Sequence, residues 1–306
     1  MKISQKQIGI VALLTTVLLW GPGPVVTKLA LQEIPQFSLA FMGRLLALFC
    51  MIVVFLPRGF FRIEKKDALQ FFFAGLLGQG LNLSFFFYAI QHTSAITAQS
   101  IMTLAPIATA LFAFFFLKER ITSLQIGGAF LGLAGAFVII WGGTSEGWSN
   151  GSLLANLFLF FSMLSWVGYI LISKKLSVRY SPITITAYSI LVGSIFFLPL
   201  ALTENLIGNA WISSVGFHGW FGLIYQGIFA SLLAFLAYQV GLKLTSAFVA
   251  GMVLYLNPVT TTLFAVPILN EKISMPFIVG TSLILAGSFI ATQFETLRNH
   301  MRKRAQ

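Results

Sequence analysis

Thr93-Ser94-Ala95, Ala98, Leu104, Pro106, Thr109, Leu111-Phe112-Ala113, Leu117, Glu119 and Ile121 recur 152 residues later. The second copy reads Thr245-Ser246-Ala247, Ala250, Leu256, Pro258, Thr261, Leu263-Phe264-Ala265, Leu269, Glu271 and Ile273. The two ungapped stretches, 93–122 and 245–274, share 13 identities over 30 positions. The register continues through Gly128 and Leu133-Ala134-Gly135, which answer Gly280 and Leu285-Ala286-Gly287. Leu and Phe coincide easily in so apolar a chain; matched Pro, Glu and Gly do not. The chain is therefore read as a duplicated hydrophobic half.

The chain is 58% hydrophobic and 9% charged, with a mean hydropathy of +0.91. A water-soluble domain carries about 25% charged residues, so this chain has too few to cover a wet surface and is read as a membrane protein. The net charge of +11 does not point to nucleic acid, because the basic residues fall in short loops rather than along a stripe. The single cysteine, Cys50, forms no disulfide within the chain and lies in an apolar run, where a packing role is expected. The apolar N-terminal run lacks a small-x-small cleavage site and reads as a first span rather than a signal peptide.

A bilayer core takes about 20 apolar residues as helix. Ten windows qualify: roughly 8–30, 37–57, 68–90, 97–117, 122–141, 152–172, 183–203, 219–241, 247–269 and 275–294. With the N-terminus in the cytoplasm, 16 of the 19 basic residues fall on the inside, leaving only Lys28, Arg44 and Lys272 elsewhere. Five spans per half is an odd number, so the second half enters from the opposite side. The expected fold is all-α and integral to the membrane, with ten transmembrane helices as two inverted-topology five-helix repeats. Residues 1–147 form the first repeat, and 148–306 the second with a basic cytoplasmic tail. Inverted repeats have two near-equivalent conformations, open to opposite sides, around a midplane site; transport by alternating access follows.

Trp20-Gly21 with Lys28, Arg44, and the two Thr-Ser-Ala…Pro…Glu stretches resemble the EamA-type branch of the drug/metabolite transporter superfamily. The resemblance covers nearly the whole chain. It implies a ten-helix bundle whose central cavity is lined mainly by spans 1, 3, 4, 6, 8 and 9, with spans 5 and 10 at the periphery. It implies export of amino acids or other small metabolites, among the substrates of that family.

Gly21-Pro22-Gly23-Pro24 interrupts span 1, as a hinge near the outer mouth or a fixed kink. Pro106 and Pro258 kink spans 4 and 9 at matching depth. Arg44, the one charge well within a span, either ties span 2 to a neighbouring helix or binds a substrate carboxylate. Lys28 reads as an interfacial anchor. Glu119 and Glu271 read as caps for the helices that follow them. Polar and aromatic residues of spans 3, 4, 6, 8 and 9 supply the remaining substrate-binding candidates: Gln79, Asn82, Gln99, Thr103, Trp166, Tyr169, Tyr238, Tyr255 and Asn257. Gly127, Gly128, Gly132, Gly135, Gly280 and Gly287 suit close packing of spans 5 and 10.

None of the eight acids lies mid-span, which favours facilitated diffusion or exchange over carboxylate-based proton coupling. A phosphorylated solute would want several cavity Lys or Arg, so a small neutral or zwitterionic solute is expected. An aromatic cavity also leaves a quaternary amine open, and a lipid flippase is the other competitor. No Walker A sequence, His/Cys metal cluster or Cys-His pair is present, so no enzyme, cofactor or metal is expected. The expected setting is a prokaryotic inner membrane, with both termini cytoplasmic, the lipid bilayer and a small-molecule substrate as partners, and a monomer rather than a homodimer.

Overall fold

The structure is a computed structural model that describes residues 4–55, 62–118, 122–142, 153–207, 211–271, 273 and 275–304. Among these it is all-helical. Seven helical runs are long and apolar enough to cross a membrane: Gln5–Ala30, Gln36–Phe55, Lys65–Gln91, Leu154–Ser177, Pro182–Leu206, Phe217–Leu244 and Ala247–Leu269. Three shorter apolar helices accompany them, Ala105–Leu117, Ile126–Gly135 and Met275–Gly287. Polarity is inverted relative to a water-soluble protein. Phe115, Phe130, Ile195 and Leu263 face outward, whereas Thr16, Arg44, Gln79, Ser162 and Gln239 are buried. This is the arrangement a lipid solvent selects: apolar side chains face the lipid and polar ones are kept inside.

The first run is α1 (Gln5–Trp20) followed by α2 (Gly23–Ala30). Ser4 opens α1 with a reciprocal cap: its Oγ accepts from Gln7 N, and Gln7 Oε1 accepts from Ser4 N. The Gly-Pro-Gly-Pro break interrupts the hydrogen-bond ladder, yet Gly21 and Pro22 keep right-handed helical dihedrals. Span 1 is thus kinked rather than unwound. Next come α3 (Gln36–Phe55), α4 (Ala68–Gly75) and α5 (Asn82–Gln91), the last two joined by a π-helical turn, Leu76–Leu81.

The repeated stretches fold alike in detail. Each Thr-Ser-Ala starts a helix at its alanine: α6 (Ala95–Met102) and α13 (Ala247–Val253). Ser246 Oγ accepts from Val249 N, and the carbonyls of Ser94 and Ser246 each accept from the alanine four residues on. Each helix then breaks and restarts just before its proline, as α7 (Ala105–Phe112) and α14 (Asn257–Leu269). Proline suits the first turn of the new segment, where its missing N–H is not needed. Each run closes on a residue with positive φ, Lys118 at 54° and Asn270 at 55°. Their N–H groups return to the matching carbonyls of Ala113 and Ala265. These are the only non-glycine residues with positive φ among the described ones, and they are repeat partners.

The remaining elements are α8 (Ser123–Gly142), α9 (Leu153–Ser177), α10 (Pro182–Ile207), α11 (Phe217–Ile224), α12 (Phe235–Leu244) and α15 (Met275–Arg304). A π-helical stretch, Tyr225–Ala234, joins α11 to α12. Extensive pairings join α8 to α15 and α3 to α10, while α6 and α7 meet α14 and α13. Glycine permits the closest of these: a Cβ on Gly287 would sit 2.5 Å from Gly128 O.

Three carboxylates cap helices remote in sequence. Glu33 accepts from Gly216 N and Gly219 N at the start of α11. Glu204 accepts from Phe37 N and Ser38 N at the start of α3. Glu271 accepts from Ala95 N and Ile96 N at the start of α6. Glu271 is thus a cap, but for α6 rather than for the helix that follows it. The chain leaves α14 through the left-handed turn at Asn270, and α14 packs against α6, whose N-terminal N–H groups the carboxylate meets. Its repeat partner Glu119 lies outside the described residues. Lys28 also makes a specific tie: its Nζ donates to Thr93 O at 3.0 Å, in the link that follows α5. Lys174 does the same for α12, donating to Leu242 O and to Thr245 O.

Candidate functional site

A cavity of about 120 Å³ opens between the helices, room for several waters or a small solute. Its walls come from both halves of the sequence. Trp20, Gly23, Pro24 and Thr27 line it from the kinked first span, Arg44 from α3, and Asn82, Leu83, Phe86 and Phe87 from α5. Gln99, Met102 and Ala105 come from the broken α6–α7 run, Trp166 from α9, and Gln226, Ala230, Ser231 and Phe235 from the π-helical stretch and the start of α12. Leu254 and Asn257 come from the break between α13 and α14. Broken backbone thus meets the cavity at three places, as expected where irregular helix is tolerated at membrane depth.

One end of the cavity is an aromatic floor. Trp20 meets Trp166 and Phe235 edge to face, each with ring centroids 5.2 Å apart. Beneath them Tyr238 and Tyr169 pack on Trp166 at 5.1 and 4.9 Å. Trp20 Nε1 donates to Ala230 O at 3.0 Å, so the π-helical stretch orients the indole. Thr261 Oγ1 donates to Gly21 O at 2.8 Å, satisfying a carbonyl at the kink, and Gln226 Nε2 donates to Thr27 Oγ1. The first span is therefore held at its break by residues of the second half.

Arg44 is fully buried. Its Nε donates to Gln79 Oε1 at 3.1 Å and its Nη1 to Ala40 O at 2.6 Å. The guanidinium lies over the rings of Phe197 (5.2 Å) and Phe87 (6.0 Å). Gly193 leaves the room: a Cβ there would stand 2.6 Å from Gln79 Cβ and 3.4 Å from Arg44 Cδ.

Of the ten sequence candidates, Arg44, Asn82, Gln99, Trp166 and Asn257 line the cavity. Asn82 Nδ2 is engaged with Ser162 O and Oγ, both at 2.9 Å, which ties α5 to α9. Asn257 Oδ1 and Trp166 Nε1 are buried with no hydrogen-bond partner among the described residues. The other five lie off the cavity. Gln79 sits behind Arg44, and Thr103 is buried in the α6–α7 break. Tyr169 accepts from Gln239 Nε2 at 2.6 Å and packs on Gly78. Tyr238 lies under the floor. Tyr255 turns toward α8, donating to Ala129 O at 3.3 Å and covering Gly132. Thr27, Phe86, Phe87, Met102 and Phe235 were not candidates. Trp20 had a signal in its position beside the Gly-Pro-Gly-Pro break; a Phe among 32 has none.

Fold and cavity together describe a helical membrane protein with a small solute-sized chamber between its helices. The chain belongs to the EamA-like transporter family, whose model matches it twice, over residues 7–141 and 153–293. It is 27% identical to an uncharacterized transporter of Archaeoglobus fulgidus over 90% of this chain and 94% of that one. The transporter YetK of Bacillus subtilis is 26% identical, over 94% and 87%. A protein of Streptantibioticus cattleyicolor named a probable terminal-alkyne amino-acid exporter is 25% identical, over 90% of both chains. A crystal structure with 23% identity superposes at a TM-score of 0.75, covering 96% of this chain and 99% of that one, a likeness of fold.

Proposed function

We propose that this chain is an inner-membrane carrier that exports amino acids or similar small neutral or zwitterionic metabolites by alternating access. It has ten transmembrane helices in two inverted repeats, 1–147 and 148–306, with both termini in the cytoplasm. The observation that carries this reading is the cavity walled by both halves, with amides and aromatic rings and a single charge. The double family match, the paired left-handed closures at Lys118 and Asn270, and the paired lysine ties at Thr93 and Thr245 support the duplication. The named amino-acid exporter among the relatives supports the substrate class. Transport is facilitative or by exchange, since no carboxylate is among the lining residues described.

In this topology the lining residues of α2, α5 and α6 lie in the outer half of the membrane, and the aromatic floor lies inward of them. On this reading the chamber belongs to an outward-oriented state, with the floor closing the inner path. Flux of a panel of radiolabelled amino acids in proteoliposomes tests the function. Saturable flux that ignores an imposed pH gradient supports a facilitative carrier. Movement of a fluorescent lipid with no amino-acid flux would replace the carrier with a flippase.

A further inference from the structure

The cavity contains a buried positive charge that the protein does not neutralise. Arg44 is fully buried and lines the chamber. Its protein partners are neutral, a glutamine oxygen and a backbone carbonyl, with two phenyl rings against its faces. Among the described residues no carboxylate lies within ion-pair reach of it, and its Nη2 makes no hydrogen bond. The acids whose side chains are described are spent elsewhere: Glu33, Glu204 and Glu271 cap helices, and Glu64 and Asp67 pair with Arg179. A buried charge left without its counter-charge is costly, and a guanidinium fork matches a carboxylate in shape as well as sign.

From this arrangement we infer that Arg44 is the anchor for a solute carboxylate, and that the chamber takes small carboxylates with an apolar or aromatic body. The carboxylate seats on the free edge of the guanidinium, and the body lies toward Trp20, Trp166 and Phe235. The chamber supplies no carboxylate among its described lining residues for an ammonium group, only amide oxygens such as Asn257 Oδ1 and ring faces. The carboxylate is therefore the required group and the amine is dispensable: a zwitterion and its deaminated acid both bind, and the matching amine is repelled. This inference rests on the reading of the cavity as the substrate site.

The experiment is equilibrium binding of radiolabelled 3-phenylpropanoate to the full-length protein in detergent, with competition by L-phenylalanine and 2-phenylethylamine. The acid and the amino acid are expected to compete within a few-fold of each other, and the amine at least tenfold more weakly. Arg44→Gln should lower affinity for the acid at least tenfold. Arg44→Lys, which keeps the charge and loses the fork, should fall between, and it decides the matter if the glutamine variant fails to fold. An amine that competes as well as the acid, an acid that does not bind, or unchanged acid affinity in a folded Arg44→Gln or Arg44→Lys variant would overturn the assignment. Flux of any solute in liposomes without carboxylate selectivity would leave the carrier reading standing while removing Arg44 as anchor. Carboxylate binding without flux would do the reverse.

Discussion

Trp20 and Trp166 meet edge to face across the two halves, with ring planes at 81°, and both press on Phe235. Such pairs contribute about 0.5–1.5 kcal/mol beyond the area they bury. The two indoles differ in one respect. Trp20 Nε1 is bonded to Ala230 O, whereas Trp166 Nε1 has no partner among the described residues. Both Trp→Phe changes lose ring packing, and Trp20→Phe should lower thermal stability in detergent by about 1 kcal/mol more than Trp166→Phe, because it also loses a hydrogen bond. If the Trp166 N–H contacts the solute, Trp166→Phe lowers flux without that added loss of stability. Equal destabilisation in the two variants would contradict the hydrogen-bond assignment.

Glu271 bridges the halves through Ala95 N and Ile96 N. Charged caps at helix N-termini contribute about 0.5–2 kcal/mol. Glu271→Ala should reduce stability by an amount in that range, measured as a lower melting temperature in detergent. Glu271→Gln should lose less, because one carbonyl oxygen remains as acceptor. If both variants melt with the wild type, the cap is not formed in the membrane protein.

Much of this could be read from the sequence, for reasons visible at particular residues. An amide or arginine stands out in an apolar run because its burial needs a cause, so Arg44, Asn82, Gln99 and Asn257 were found. Pro106 and Pro258 marked the breaks of α6–α7 and α13–α14, since proline cannot donate within a helix. Phe86, Phe87, Met102 and Phe235 were invisible, because lipid and a cavity wall accept the same side chains. Tyr169, Tyr238 and Tyr255 were assigned to the cavity on residue type and span. Helical spacing says which residues share a face but not what that face meets. Glu271 was recognised as a cap, but which helix donates to it depends on how α6 and α14 pack. The π-helical turns at 76–81 and 225–234 have no residue signature beyond scattered glycines.

Lys118 ends its run in a left-handed conformation at φ 54°, where the repeat partner is Asn270 at 55°. An ordinary L-residue is disfavoured there by roughly 1–2 kcal/mol, while asparagine tolerates it. Lys118→Asn should stabilise the protein by about 0.5–1 kcal/mol, and Asn270→Lys should cost a similar amount. Urea or thermal unfolding of the purified variants reads both. A destabilised Lys118→Asn would mean that the lysine side chain contributes more than the turn costs.

Close approach of α8 and α15 makes a prediction with an internal control. A methyl group on Gly287 would stand 2.5 Å from Gly128 O and 2.7 Å from Gly132 N, backbone that cannot yield without parting the helices. Gly287→Ala should destabilise by about 1–3 kcal/mol. Gly127 in α8 has nothing within 4 Å of the added carbon. Gly127→Ala should be neutral or stabilising by up to about 1 kcal/mol from helix propensity. The contrast in melting temperature measures the packing, and similar behaviour of the two alanine variants would remove it.

A polar cluster at the ends of the spans sets the expected pH response. Arg179 pairs with Asp67 at 2.7 Å and Glu64 at 2.5 Å, and Lys66 pairs with Glu64 at 2.7 Å. Hydrogen bonding to Lys66, then to Arg179, holds the Glu64 carboxyl below its ordinary value of 4.5. Since that value is depressed in the folded state, the contribution is fully present above pH 4.5 and is lost as pH falls through the lowered folded value. Tyr180 behaves oppositely: burial, then its hydrogen bond to Asp67, pushes the phenol above 10.0. Its contribution is present below pH 10.0 and is lost as pH rises through the raised folded value. Melting temperature against pH should therefore fall less steeply below pH 4.5 in Glu64→Gln, and less steeply above pH 10.0 in Tyr180→Phe, than in the wild type. Glu64 is exposed to solvent and salt, so high ionic strength should shrink the acid difference. Superimposable acid limbs at low salt for wild type and Glu64→Gln would show that the pairs at Glu64 are not maintained in solution.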